Sequence, residues 1–305
     1  MSGAAGVIVL VVGIGVVVLG ADALVDGLLG VGRTLGIAPF VLSVALSGFE
    51  TENLAAGIAA NAKGLPGAAA GTFLGGVTFL ALGVAGLGGL IAPIRVELPR
   101  RFAVWTAIAP LPLLACAIDG HVSRPEGALL VIWSVLALVG LARSGRQLLA
   151  TEGEERVRKP AWRLLAGLAI LSGGGWLLGQ GLRTVVRQLG VPQTLIGNTA
   201  LAATVEAEEL ARFAVPARRG RPELGLGSIA GTVVHFSALN AGIIALVKPL
   251  TLGHDTTRFY LPVAAASPAI LAALLLARGQ LGRIEGAALT SLYVAYVAVA
   301  ITIST

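Results

Sequence analysis

Two short stretches carry acids where the surrounding sequence is apolar. Residues 47–64 read SGFETENLAAGIAANAKG, with Glu50 and Glu52 two apart. Residues 204–211 read TVEAEELA, with Glu206, Glu208 and Glu209. An ionised carboxylate costs roughly 2.5–3.5 kcal/mol to insert at the centre of a bilayer. Five of them do not all stay ionised in one dry site. Two outcomes relieve the repulsion. Several carboxylate oxygens can share a divalent cation, as hard ions such as calcium prefer, or some glutamates stay protonated because burial and like charges oppose ionisation. A site that alternates between the two exchanges a cation for protons.

Helical geometry limits which acids act together. Glu206 and Glu209 are three apart and share a face, as do Glu50 and Asn53. Residues two apart point about 200° away from each other. Glu52 and Glu208 therefore join the site only if the helix is broken, with Gly48 one place for a break; otherwise each is a structural group bonded to a neighbouring helix. Ser47, Thr51, Thr72, Thr204, Ser228 and Thr232 offer neutral hydroxyl oxygens, although such residues in membrane helices commonly bond helix to helix. His235 either relays protons or bonds quietly to another helix. Asp22 and Asp26, four apart, read as interfacial.

The elements that hold these residues are membrane helices. Of 305 residues, 56% are hydrophobic and 12% charged, against about 25% charged in soluble domains. Apolar runs predict ten spans, near 5–30, 36–62, 66–92, 102–118, 126–142, 162–182, 192–215, 223–247, 259–277 and 284–303. The first run has no basic segment before it and reads as a span. One polar linker, 143–163, divides the chain into halves 1–142 and 164–305, and its Glu152, Glu154 and Glu155 read as a solvated loop. The lone Cys116 excludes an intrachain disulfide. The net charge of +6 is carried by loops, as orientation signals are, and not by a nucleic-acid surface. Loops after the odd-numbered spans hold sixteen of the 22 Lys and Arg, with Arg212 counted among them. Both termini are thus expected outside the cell membrane and the linker in the cytoplasm.

The two acidic stretches are copies of each other. At an offset of 156 with no gap, Glu50 meets Glu206, Glu52 meets Glu208, Asn53 meets Glu209, Lys63-Gly64 meets Arg219-Gly220, and Pro66 meets Pro222. With five spans per half, the two hairpins run through the membrane in opposite directions, the pattern of transporters with a central site.

On these residues the sequence resembles the calcium/cation antiporter superfamily, which includes the sodium/calcium exchangers. The stretch 19–57 looks like its first helix and first alpha repeat (36–92 here), and GVPQTLIGNTALAATVEAEELA, 190–211, looks like the start of the second (190–247). The resemblance implies an all-α polytopic membrane protein of ten helices in two inverted five-helix repeats, exchanging one cation for another by alternating access. The family's G-T-S-x-P-E pattern places Glu209 at its principal ligand, and the same count lands on Asn53 in the first repeat, so Glu52 or Glu50 supplies the acid there; Glu52 and Glu209 are the expected metal-contacting pair. The family's asparagines are Thr72 and Ser228 here, losses that disfavour sodium. The expected activity is antiport of calcium or another divalent against protons or sodium, with inorganic cations, protons and the lipid bilayer as partners, no cofactor and no nucleic acid. The competing classes are a non-transporting membrane scaffold and an intramembrane enzyme; no Ser/His pair, paired-aspartate pattern or His-rich motif in the spans favours the latter.

Overall fold

The computed structural model describes residues 3–47, 51–96, 99–145, 157, 159–188 and 207–304. Twelve helices are distinguished there: α1 Gly3–Leu35, α2 Pro39–Leu46, α3 Thr51–Ala62, α4 Pro66–Ile91, α5 Arg100–Ile108, α6 Leu111–Ala117, α7 Arg124–Ser144, α8 Pro160–Gln188, α9 Ala207–Arg218, α10 Pro222–Val247, α11 Thr256–Arg278 and α12 Arg283–Ser304. Seven of these helices are long and apolar enough to cross a membrane: α1, α4, α7, α8, α10, α11 and α12. Val11, Ile14, Ile132, Leu136, Val294 and Val299 are exposed on α1, α7 and α12, an outward apolar surface suited to lipid and not to water.

In the run 36–62, α2 and α3 flank residues 48–50, which lie outside the described residues. One expected span is divided. The run 102–118 becomes α5 and α6, parted at Ala109-Pro110, because a proline cannot donate the backbone bond that would continue the helix. The indole of Trp133 donates to the Ala109 carbonyl at 2.9 Å, occupying an acceptor at the break.

The 156-residue spacing read in the sequence returns in the backbone. Helices α3 and α9 end at Ala62 and Arg218, and α4 and α10 start at Pro66 and Pro222. Between the helices of each pair, Gly64 (φ 77°) and Gly220 (φ 71°) take the left-handed conformation that glycine reaches without strain. A π-helical turn widens α4 at Phe79–Val84 and α10 at His235–Asn240. The short strands β1 Ile94–Arg95 and β3 Leu250–Thr251 follow in register.

Contacts between distant loops sort the chain's ends into two groups. At one end, Asn61 Nδ2 donates to Lys248 O and Lys248 Nζ returns to Asn61 O. There too, Arg124 Nε donates to Leu246 O, and β2 His121–Val122 pairs antiparallel with β3. At the other end, Arg218 Nη2 donates to Ile91 O, Arg219 reaches Asp22 and Asp26, and Arg163 reaches Asp26. Strand β4 Gln280–Leu281 pairs antiparallel with β1 at that end. Thus α4 begins beside Lys248 and finishes beside Arg218, while α10 begins beside Arg218 and finishes at Lys248. The two helices run antiparallel.

Two apolar cores result. The larger is built around α4 and α10, with Phe73, Leu80, Phe213, Phe236 and their neighbours fully enclosed. The smaller lies between α1, α8 and α9, on Val17, Ala21, Leu24, Leu171, Leu178 and Ala211. Helices α1 and α8 approach over glycines spaced by seven: Gly13, Gly20 and Gly27 on one, Gly167, Gly174 and Gly181 on the other. A Cβ at Gly27 would stand 2.4 Å from Leu164 Cα, and one at Gly167 would stand 2.5 Å from Leu24 N. Small residues allow this backbone approach, as at other tight membrane helix pairs.

Candidate cation site

The first turn of α9 carries Glu208 and Glu209, with relative exposures of 2% and 0%. Adjacent helical residues point about 100° apart, so the two carboxylates leave in different directions. The Oε2 of Glu208 lies toward α8, where a Cβ on Gly175 would sit 3.0 Å from it. Glu209 turns toward α10, where Ser228 Oγ donates to its Oε2 at 3.4 Å.

Arg212 joins the two. It lies four residues after Glu208 and three after Glu209, the two spacings that bring helical side chains together. Its Nη2 donates to Glu208 Oε1 at 2.9 Å, and its Nη1 stands 2.9 Å from Glu209 Oε1. The second approach is an ion contact off the hydrogen-bond direction; Glu209 Oε1 accepts no hydrogen bond among the described residues. The directed bond from Nη1 goes instead to the Ser47 carbonyl, at 2.9 Å. Thr232 Oγ1 of α10 donates to that same carbonyl at 3.1 Å. The end of α2, the start of α9 and the first half of α10 therefore meet at one buried point. Close packing permits it: a Cβ on Gly231 would lie 2.2 Å from Ser47 Oγ and 2.3 Å from Val44 O. A narrow crevice beside this point is bordered by Leu24, Leu28, Ser43, Ser47, Arg212 and Ser228.

Arg212 corrects the sequence reading. Counted there among cytoplasmic loop cations, it is a buried side chain at 5% exposure. Its neighbours Arg218 and Arg219 do lie at the helix end. The spacing E-E-x-x-R was the available signal; a count of basic residues by loop does not register it.

Of the other expected residues, Ser47, Ser228 and Thr232 gather around Arg212 and Glu209 as described. Thr72 is half-buried and donates to its own helix at Ala69 O, 2.7 Å. Asn53 is half-buried on α3. His235 is buried, with Nδ1 2.7 Å from Gly231 O one turn back in its own helix. Glu50, Thr204 and Glu206 lie outside the described residues, as do the side chains of Thr51 and Glu52. Among the described residues, no group of three or more His, Cys, Asp or Glu side chains stands together as a metal cluster. Asp22 and Asp26 pair with Arg219, and Asp26 also with Arg163, at the end of the bundle.

A family model described as sodium/calcium exchanger protein matches residues 5–142 and 159–302, nearly the whole chain. The chain belongs to the sodium/calcium exchanger family. The two matched segments leave out residues 143–158. Among family relatives, the putative antiporter CaxA of Alkalimonas amylolytica is 28% identical over 95% of this chain and 96% of its own length. The inner membrane protein YrbG of Escherichia coli (strain K12) is 25% identical over 79% of each chain. The sodium/calcium exchanger MaX1 of Methanosarcina acetivorans is 32% identical over 36% of this chain and 32% of its own. In fold, the chain matches the sodium-calcium exchanger NCX_Mj, solved after a soak with 2.5 mM Na+ and 0.1 mM Sr2+. That match has a TM-score of 0.81 at 21% identity and covers 97% of this chain and 99% of that one. The chain is thus a multi-pass membrane protein with the exchanger fold.

Proposed function

We propose that this exchanger-family chain is a secondary cation antiporter that moves calcium or another divalent cation against protons, by alternating access at a site between its two acid-bearing hairpins. The observation that carries the reading is the point where Glu209, Ser228, Thr232 and the Ser47 carbonyl converge. It gathers carboxylate, hydroxyl and carbonyl oxygens in a buried interior, the donor set of a hard cation, with Glu209 Oε1 in ion contact with Arg212 and without a directed hydrogen bond.

The first hairpin is proposed to supply the opposing acid, Glu52 or Glu50, with Glu206 completing the set; Glu52 and Glu209 are the proposed metal-contacting pair. Asn53 and Thr72 take auxiliary places. The matching bounds of α3/α4 and α9/α10, and their antiparallel course, support two inverted repeats within a ten-span architecture. The gathering of Arg95, Arg163, Arg218, Arg219, Arg278 and Arg283 in the loops of one end supports a cytoplasmic assignment for that end and for the linker, with both termini outside.

Purified protein in proteoliposomes tests the activity. Calcium, manganese, magnesium, sodium and potassium fluxes are measured under imposed pH and sodium gradients. Uptake of a divalent driven by a pH gradient is expected. Absence of cation flux under every gradient, from protein that is folded and inserted, refutes the reading.

A further inference from the structure

The guanidinium of Arg212 occupies the middle of the proposed oxygen set. It touches a carboxylate oxygen of Glu208, a carboxylate oxygen of Glu209 and the Ser47 carbonyl, each at 2.9 Å. Two elements, α9 and the end of α2, supply these oxygens. Such a set, two negative and one neutral, is what a small monovalent cation would take from the same interior. We infer that Arg212 is a tethered cation, standing permanently in the place of one alkali ion. This deepens the antiport reading and rests on it for its functional meaning.

The alternative role for a buried arginine is a structural cross-link, and Arg212 does join α9 to the Ser47 carbonyl at the end of α2. It also stands between two acids on its own helix, so a cross-link and a charge-balancing cation differ in what an added alkali ion can replace. With Glu208 and Glu209 ionised, the guanidinium leaves one net negative charge in this part of the site. Without it, two like charges on one buried helical turn would lose the cation that joins them, and the nearest abundant small cation would be drawn in. The chain accordingly needs no sodium or potassium to balance this position.

The test uses full-length protein in detergent. Thermal unfolding is followed in 1–100 mM sodium or potassium chloride, with ionic strength held constant by N-methylglucamine chloride. The wild-type midpoint is expected to stay flat as sodium or potassium replaces the large organic cation. Arg212→Gln should be less stable in N-methylglucamine and recover progressively with sodium or potassium. Arg212→Lys, which keeps the charge, should stay flat. Adding Glu208→Gln and Glu209→Gln to Arg212→Gln should abolish the recovery, placing it at these acids. A structural cross-link predicts an Arg212→Gln loss that is equal in every salt, and that result overturns the inference. So does a wild-type or Arg212→Lys midpoint that rises with alkali cation, which decides the matter even if Arg212→Gln fails to fold in every salt. Binding is read here without transport. If no flux is found while Arg212→Gln gains its alkali response, the antiport reading falls and the tethered cation stands; flux with no such gain gives the reverse.

Discussion

Replacing Gly27 by alanine isolates how far the α1–α8 pair depends on backbone contact. The new Cβ would start 2.4 Å from both Leu164 Cα and Leu164 N. Carbon atoms settle at about 3.5–4.0 Å, so the two helices must part by about 1 Å at this level. Main-chain atoms form the obstruction, and no flexible side chain can yield in their place. Overfilling a packed interface in this way costs typically about 1–3 kcal/mol. Alanine is also the better helix former, by up to about 1 kcal/mol, which works in the opposite direction. Gly15 supplies the control: it lies on the same helix with nothing within 4 Å of its virtual Cβ. Both substitutions share the propensity gain, so the difference between them reports overpacking alone. Gly27→Ala should therefore be about 1–3 kcal/mol less stable than Gly15→Ala in denaturant unfolding in micelles. It should also slow flux, because Leu24, Leu28 and Leu168 on the same two helices border the crevice beside Arg212. Equal unfolding midpoints for the two variants refute the claim of backbone contact.

Four further outcomes are expected. Asp26→Asn removes ion pairs to Arg163 and Arg219, whose side chains are 48% and 34% exposed. It should cost no more than about 1 kcal/mol, with the loss shrinking in 1 M salt as screening removes the pairs from the wild type too; a salt-independent loss would contradict this. Ser228→Ala removes a long hydrogen bond to Glu209 and an oxygen beside it, and should weaken apparent cation affinity severalfold with little change in expression; unchanged affinity would remove Ser228 from the site. In a Cys116→Ala background, Gly153→Cys and Thr305→Cys should label from opposite sides of the membrane, and same-side labelling ends the inverted-repeat proposal. Apparent divalent affinity should rise with pH, since a carboxylate must lose its proton to hold metal, and Glu209→Gln should lower both the affinity and its pH dependence while Leu54→Ala changes neither strongly. A flat profile between about pH 6 and pH 8 would sink proton coupling.

The repeat was legible in the sequence because turn chemistry and charge recur together. Lys63-Gly64 with Pro66, and Arg219-Gly220 with Pro222, encode the same left-handed turn and proline-started helix, and the backbone reproduces both. Glu209 was legible for a similar reason, since an acid inside an apolar run stands out. Arg212 was not, because a cation near a predicted span end reads as an orientation signal until its partners are known. The π turns at Phe79–Val84 and His235–Asn240 leave no mark on hydrophobic periodicity, because those segments are buried nearly all round. Pro110 could have marked the division of the 102–118 run; its apolar neighbours outweighed it.

The two strand pairings mark the ends of the bundle. They are also reciprocal. Strand β1 of the first half pairs with β4 of the second, and β3 of the second half pairs with β2 of the first. No pairing among the described strands is made within a half. Each half lends one strand and receives another, and Phe213 of the second half fills the place beside Gly88 of the first. A half-length chain alone would leave both strands without partners. Two identical half-chains, inserted in opposite senses, would satisfy every exchange at once. The strand exchange thus ties each half of the chain to the other at both ends. The halves are unequal where the site lies, with asparagine at 53 against glutamate at 209, and Ala56 against Arg212.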